Sequence, residues 1–342
     1  MKRPANIYDV ARLARVSIKT VSRVVNQARV SDKTRAVVER AIEALGYRPN
    51  LVARSLRTSR SFLIAAISPY LESFYWQALH SSTIQACRQN GFHLMIELVS
   101  PNNAEALQSL ETSLKNLHFA GAVLNPLITE DQSVMNLLER LKLRYVRIFP
   151  MGNPDRADAV FADENKGLQL LAAHFWNLGH RKIAIAAGPP GIQGADRAEQ
   201  LRRALLALGA AKQMISILPL NWHGGGIEAG RQLAASVLAL RERPSAMFAH
   251  TDGVAAGAIG YFIEHGLQVP RDLSVAGFDD SEIAQAIWPP LTTIKLPIDQ
   301  MAHAAISLLL NPDPKIRVRR LTCPVEFIVR GSTGPAPRGK PT

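Results

Sequence analysis

From Phe62 to Phe278 the chain repeats one unit: a short apolar run, a break, an amphipathic stretch, and another apolar run. The runs fall at Phe62–Ser68, His93–Val99, Gly121–Asn125, Tyr145–Phe149, Ala159–Ala162, Lys182–Ala187, Met214–Leu218, Ala246–Ala249 and Leu273–Phe278. Runs this short, with little alternation, are strands buried on both faces, and the stretches between most of them carry the 3.6-residue period of helices. Strand–helix alternation of this kind closes into parallel sheets covered by helices on both faces. Nine strands point to two such sheets rather than one.

Open parallel sheets bind ligands beyond the carboxyl ends of their strands. The residues just after the runs are Ser73, Phe74 and Tyr75; Asn125; Asp163; Arg197 past the loop 188–196; Trp222; Thr251 and Asp252; and Asp279 and Asp280, with Phe278 closing the last run. Carboxylates and an arginine can make paired hydrogen bonds with vicinal hydroxyls, and an aromatic face suits the C–H side of a sugar ring. Each residue alone reads equally well as a helix cap or a solvated loop residue. Their convergence on strand ends makes Phe74, Tyr75, Asn125, Asp163, Arg197, Trp222, Thr251, Asp252, Phe278 and Asp279 the candidate ligand-binding set. A nucleobase held by Phe74, Tyr75 and Phe278 is the alternative to a carbohydrate.

The first sixty residues hold three Lys and eleven Arg against Asp9, Asp32, Glu39 and Glu43, which is +10 of the chain's net +12. A polyanion partner for that segment is the simplest explanation. An unstructured basic tail would lack helical apolar patterning, whereas Val10, Leu13, Ala14, Val21, Val24 and Val25 recur at helical spacing with one break at Val16-Ser17. Asp9 suits the positive end of a first helix, and Ser17 is placed to cap a second that begins at Ile18. A third helix runs from Asp32 to about Leu45, capped by Ser31, stopped by Gly46, with Ala36, Val37, Ala41, Ile42 and Leu45 expected inward. Two short helices joined by a tight turn describe a helix-turn-helix, whose second helix enters the major groove. Ile18, Lys19 and Arg23 would then meet base edges, the cations donating to guanine O6 and N7. Ser17, Thr20, Ser22 and Asn26 suit phosphates.

These residues resemble the headpiece of the lac repressor and galactose repressor family: Ile7-Tyr8-Asp9-Val10-Ala11, Val16-Ser17, Thr20-Val21-Ser22-Arg23-Val24-Val25-Asn26 and Gly46-Tyr47-Arg48-Pro49-Asn50. Ala53-Arg54-Ser55-Leu56-Arg57 is similar to that family's hinge helix. The resemblance implies a hinge that folds on DNA with Leu56 wedged into the minor groove, and further DNA contacts from Tyr8, Asn50, Ala53 and Arg54. An apolar side chain between base steps unstacks and kinks the duplex. Further on, Leu178-Gly179-His180-Arg181-Lys182-Ile183-Ala184, Ala187-Gly188-Pro189, Thr251-Asp252-Gly253-Val254-Ala255-Ala256-Gly257-Ala258, Val275-Ala276-Gly277-Phe278-Asp279-Asp280 and Pro289-Pro290-Leu291-Thr292-Thr293-Ile294 resemble the family's effector domain. That implies a two-lobed periplasmic-binding-protein-like fold, with Arg197, Trp222 and Asp279 on sugar hydroxyls or a ring face. Thr251 stands where most members have Asn, and Phe149-Pro150 where some sugar binders have an aspartate.

The expected architecture is therefore α/β: a helix-turn-helix headpiece (1–48), a hinge helix and linker (49–61), an effector-binding and dimerisation domain (62–330), and a disordered tail (331–342). The two lobes would comprise approximately 62–160 with 291–322, and 161–290 with 323–330. Cys87 and Cys323 fit neither a disulfide framework nor a metal spacing, so no metal or cofactor is expected. Gly188-Pro-Pro-Gly191-Ile-Gln-Gly194 lacks both dinucleotide spacing and a P-loop Lys-Ser/Thr, and no metalloprotease or nucleophile-elbow motif occurs. Catalysis is not expected. Without an apolar signal core or an 18-residue apolar stretch, the cytoplasm is the expected compartment. The Gly- and Pro-rich end carries no leucine heptad of the kind some members use to tetramerise, so a homodimer on a palindromic operator is expected. Within the family both polarities occur, inducing sugars and a purine-type corepressor. A sugar-binding protein with no regulatory role would have no use for the basic headpiece.

Overall fold

A computed structural model describes residues 5–25, 29–47, 61–69, 74–100, 103–153, 155–188, 193–220 and 225–337. The chain divides into two compact units, Met1–Phe62 and Leu63–Thr342. In the first, helices α1 (Ile7–Ala14), α2 (Ile18–Val25) and α3 (Asp32–Leu45) surround one small core of Val10, Ala11, Ala14, Val21, Val24, Val38 and Ala41. Asn6 caps α1 through a reciprocal box with Asp9, and Ser17 Oγ accepts the Thr20 amide 3.1 Å away to start α2. Ser31 caps α3, and Gly46 ends it at φ 57°, a left-handed conformation that costs glycine little.

One inward assignment is corrected. Ala36 is exposed and its place in the core belongs to Val38, which is wholly buried. On a helix, Val38, Ala41 and Leu45 share a face, and Ala36 lies about 200° from Val38. Leu13 is 52% exposed because α1 turns its Val10–Ala11–Ala14 side inward.

The second unit contains two parallel sheets. The first has strand order β11-β5-β4-β3-β1-β2 and the second β7-β6-β8-β9. Their strands are β1 (Leu63–Ser68), β2 (His93–Leu98), β3 (Gly121–Leu124), β4 (Tyr145–Ile148), β5 (Ala159–Ala162), β6 (Ile183–Ala187), β7 (Ile215–Pro219), β8 (Ala246–Phe248), β9 (Ser274–Ala276) and β11 (Arg320–Cys323). Every expected run is a strand. Helices α4 (Phe74–Gln89), α5 (Ala104–Leu117) and α6 (Gln132–Arg140) connect the first sheet; α7 (Glu164–Asn177), α8 (Gln193–Ala207), α9 (Gly225–Leu238) and α10 (Asp252–Glu264) connect the second. A short α11 (Glu282–Ala286) follows β9, and α12 (Ile298–Leu310) returns to the first sheet. An antiparallel pair, β10 (Thr293–Lys295) with β12 (Glu326–Ile328), lies where the chain crosses between lobes. In each sheet the strand order reverses at one point, between β1 and β3 and between β6 and β8.

Helices α9 and α10 cross closely. A Cβ on Gly257 would sit 1.9 Å from the Ile227 carbonyl oxygen, and one on Gly230 would sit 2.1 Å from that of Val254. Only glycine permits this approach.

The disordered tail is corrected over residues 331–337, which pack on the second sheet. Ser332 is wholly buried, donates to the Val275 carbonyl at 2.6 Å and accepts the Thr292 amide at 2.8 Å. His180 Nε2 donates to the Gly334 carbonyl at 3.0 Å, which leaves Nδ1 to accept from Ser245 Oγ at 2.9 Å. Gly- and Pro-rich sequence forbids a helix but allows an extended segment whose amides are satisfied by a neighbouring strand.

Burial holds His180 down to about 4 and, with repulsion from Arg197, His250 down to about 3; it also lowers His80 and His174. Such histidines contribute stability that is lost as pH falls through their ordinary value of 6.5. Asp252, raised to about 6 by burial, acts in the opposite sense, favouring the fold below that value. Asp279, raised well above its ordinary value by burial, acts in the same sense as Asp252. The four histidines outweigh the two carboxyls, so the melting temperature of the Leu63–Thr342 unit is expected to fall between pH 7 and pH 5. Differential scanning calorimetry across that range checks this, and a rising midpoint would contradict it.

Candidate nucleic-acid interface and effector cleft

On α2 the buried Val21 and Val24 face the headpiece core, while Lys19 and Arg23, four residues apart, lie exposed on the opposite side. Ile18 is half-buried at the first turn. The hydroxyls of Ser17 and Thr20 lie 2.8 Å apart, and Ser17 also holds the Thr20 amide, so their first duty is to fix where α2 begins. Tyr8 is 62% exposed on α1. The headpiece thus presents two long cations on one helix face beside exposed hydroxyls, a surface that can meet phosphates and base edges. Asn26, Asn50, Ala53, Arg54 and Leu56 lie outside the described residues.

In the second unit, Arg197 on α8 is the centre of a buried cluster. Its Nε donates to both Glu164 oxygens at 3.2 Å and Nη2 to Oε1 at 2.6 Å, while Nη1 donates to the His250 carbonyl at 2.8 Å. Asp279 Oδ1 is 3.9 Å from Nη1, and the guanidinium carbon sits 3.7 Å from the centre of the Phe278 ring. Stacking on that ring and the Glu164 pair keep the cation charged despite burial. Burial is the largest influence on Asp279 and raises its carboxyl well above the ordinary value, against the pull of Arg197.

Asp279 and Asp280 both have positive φ, 110° and 56°. Two consecutive aspartates in that region are strained, and the loop is held by the Asp279 amide on the Ile294 carbonyl at 2.8 Å and by Arg330 on Asp280 at 2.6 Å. The first lobe contributes Tyr75 from α4. Its hydroxyl is buried, has no hydrogen-bond partner among the described residues, and lies within electrostatic reach of Asp279, Arg197 and Glu164. Burial raises this phenol far above its usual range, with Asp279 adding to the effect.

Arg197, Phe278 and Asp279 therefore meet, with Tyr75 within electrostatic reach of them, while other candidates serve the scaffold. Asn125 donates to Ser68 Oγ at 2.5 Å and to His80 Nε2 at 3.1 Å, tying the ends of β1 and β3. Thr251 Oγ1 caps α10, which a threonine does much as an asparagine would. Asp252 Oδ2 accepts from the Ser281 amide and hydroxyl, and Oδ1 from Thr293 Oγ1. Asp163 is exposed and caps α7 by accepting the Lys166 amide. Its neighbour Glu164 is the one that turns inward. Sequence reasoning missed Glu164, because an acid in the first turn of a helix ordinarily reads as dipole compensation. It also missed His250, which sits two residues after β8 and immediately before Thr251. Trp222 and the Phe74 side chain lie outside the described residues. Among the described residues no group of His, Cys, Asp or Glu could hold a metal ion, and no helix is long and apolar enough to cross a membrane.

With this geometry in hand, comparison with known proteins is specific. A family model described as bacterial regulatory proteins, lacI family, matches residues 6–50, and one described as a periplasmic binding protein-like domain matches residues 172–333. The chain is 31% identical over 338 residues to the HTH-type transcriptional regulator DegA of Bacillus subtilis, covering 96% of this chain and 98% of the relative. It is 33% identical over 317 residues to the HTH-type transcriptional repressor PurR of Edwardsiella ictaluri, covering 90% of each. It is 30% identical over 340 residues to the ribose operon repressor of Escherichia coli K12, covering 96% of this chain and 99% of the relative. The lac repressor dimer bound to operator and the anti-inducer ONPF superposes with a TM-score of 0.77 at 28% identity, covering 97% of this chain and 100% of that one.

Proposed function

The chain belongs to the lacI family of bacterial regulatory proteins, and from that premise we propose that it is a cytoplasmic transcriptional repressor whose operator affinity is set by a carbohydrate bound between the lobes of its second unit. It is a DNA-binding regulator of this family and not an enzyme. Similarity to a dimer bound to operator supports a homodimer on a palindromic site, with Lys19 and Arg23 at base edges and Leu56 at the central kink. The ribose operon repressor among the relatives supports a sugar as effector.

The observation that carries the reading is the buried Tyr75 hydroxyl of one lobe, without a hydrogen-bond partner among the described residues, within electrostatic reach of the Arg197 and Asp279 cluster of the other. A ligand that satisfies both sides favours one lobe arrangement by its differential affinity, and linkage makes the same free energy act on DNA binding. A thermal-shift screen of the purified protein against neutral sugars and nucleobases tests this, since a ligand raises the midpoint by mass action. Asp279→Ala is expected to weaken the best ligand about tenfold or more while leaving operator affinity unchanged, because a hydrogen bond to a charged group contributes about 1.5–3 kcal/mol. An undiminished ligand response in that variant would remove the cleft assignment. Stabilisation by a nucleobase but by no sugar would favour the aromatic alternative of Tyr75 and Phe278.

A further inference from the structure

An arginine in a ligand cleft is ordinarily an anchor for phosphate or carboxylate. Here three of the five N–H donors are already taken, and the charge itself is already paired. Glu164 takes the Nε and one Nη2 hydrogen of Arg197, the His250 carbonyl takes one from Nη1, and Phe278 covers one face of the guanidinium. The two side chains are only 8% and 9% exposed, so their charges cancel inside the site rather than against solvent. Asp279 adds a further carboxyl whose approach to Arg197, at 3.9 Å, is too long for a hydrogen bond. The surplus of the site is therefore in acceptor oxygens, and the buried Tyr75 hydroxyl lies within electrostatic reach of the same groups.

We propose that Glu164 is the specificity-determining residue of this cleft: by neutralising Arg197 and leaving carboxylate oxygens open, it admits uncharged, hydroxyl-bearing ligands and rejects phosphorylated or carboxylated ones. This rests on the reading of the cleft as the effector site. A neutral polyol supplies O–H donors to Asp279 and Glu164 and an oxygen to Tyr75 without disturbing the buried pair. An anion would meet a cation already neutralised by Glu164, and displacing that carboxylate would leave a buried charge unpaired. Removing the charge of Glu164 while keeping its shape frees Arg197 and reverses the preference.

The test uses the full-length protein and its Glu164→Gln variant, melted in increasing inorganic phosphate against chloride of matched ionic strength. The basic headpiece is the same in both, so the difference between them reports the cleft. Glu164→Gln is expected to gain a saturable phosphate-dependent stabilisation, with an apparent affinity at least about tenfold above wild type. Equal phosphate responses in the two proteins would overturn the proposal. Should the variant fail to fold, wild type is measured with matched pairs, D-ribose against D-ribose 5-phosphate and D-glucose against D-glucose 6-phosphate. No ester is expected to stabilise more than its parent sugar, and one that does overturns the proposal. Gain of phosphate binding by Glu164→Gln with no sugar response in wild type would uphold charge selection and remove the carbohydrate reading alone.

Discussion

Replacing Asp252 by alanine is expected to lower the stability of the Leu63–Thr342 unit by about 3–5 kcal/mol, because it leaves three donors without their acceptor, each costing about 1–3 kcal/mol when buried. Asp252 is wholly buried at the first turn of α10. Its carboxylate accepts from the Ser281 amide at 2.7 Å, the Ser281 hydroxyl at 3.0 Å and Thr293 Oγ1 at 2.6 Å. It thereby joins the start of α10, the strained loop after β9, and β10 at the lobe crossing. Alanine leaves three donors buried without this acceptor and a void against Gly277, where an added Cβ would lie 2.5 Å from Asp252 Oδ1. For a unit of this size the loss corresponds to a fall in midpoint of roughly ten degrees. Denaturant unfolding at pH 7.5 measures it. A loss below about 1 kcal/mol combined with a missing ligand response would return Asp252 to the ligand contacts.

Arg23→Ala is expected to weaken operator binding by roughly a hundredfold or more. A bidentate arginine–guanine contact contributes about 1–3 kcal/mol of discrimination, and a dimer on a palindrome loses it twice. Because Arg23 is exposed and its neighbours Val21 and Val24 carry the packing, the headpiece itself should keep its stability. Titrating operator and unrelated duplexes at two salt concentrations separates the roles. A base contact costs operator affinity and blurs preference at one position, whereas a phosphate contact weakens all duplexes alike and lowers the salt slope by about one. An unchanged operator affinity would sink the groove assignment.

Much of the fold was legible because it follows from local rules. The strand runs were read within a residue or two because buried parallel strands are continuous in apolar character. Three strands escaped. Arg320–Cys323, Glu326–Ile328 and Thr293–Lys295 are three or four residues long, two of them largely polar, and they pair only because the chain crosses between lobes there. The candidate site was read less well. Strand-end position found Tyr75, Arg197, Phe278 and Asp279, but it could not separate a ligand contact from a cap, so Asp163 was chosen one residue away from Glu164. Asn125 and Asp252 lie at strand ends too, yet their hydrogen-bonding capacity is spent on the protein.

What the amino-acid sequence determined by itself was whatever a periodicity, a cap or a charge count can encode over a few turns: the helix-turn-helix, the parallel sheets, and the basic face aimed at DNA. What only the tertiary structure decided was pairing at a distance. Glu164 meets Arg197 across 33 residues, Asp252 meets Thr293 across 41, and the carboxyl-terminal segment meets His180 across 154. Such pairs leave no periodic trace, because a buried donor needs one acceptor at about 2.9 Å and any part of the chain can supply it.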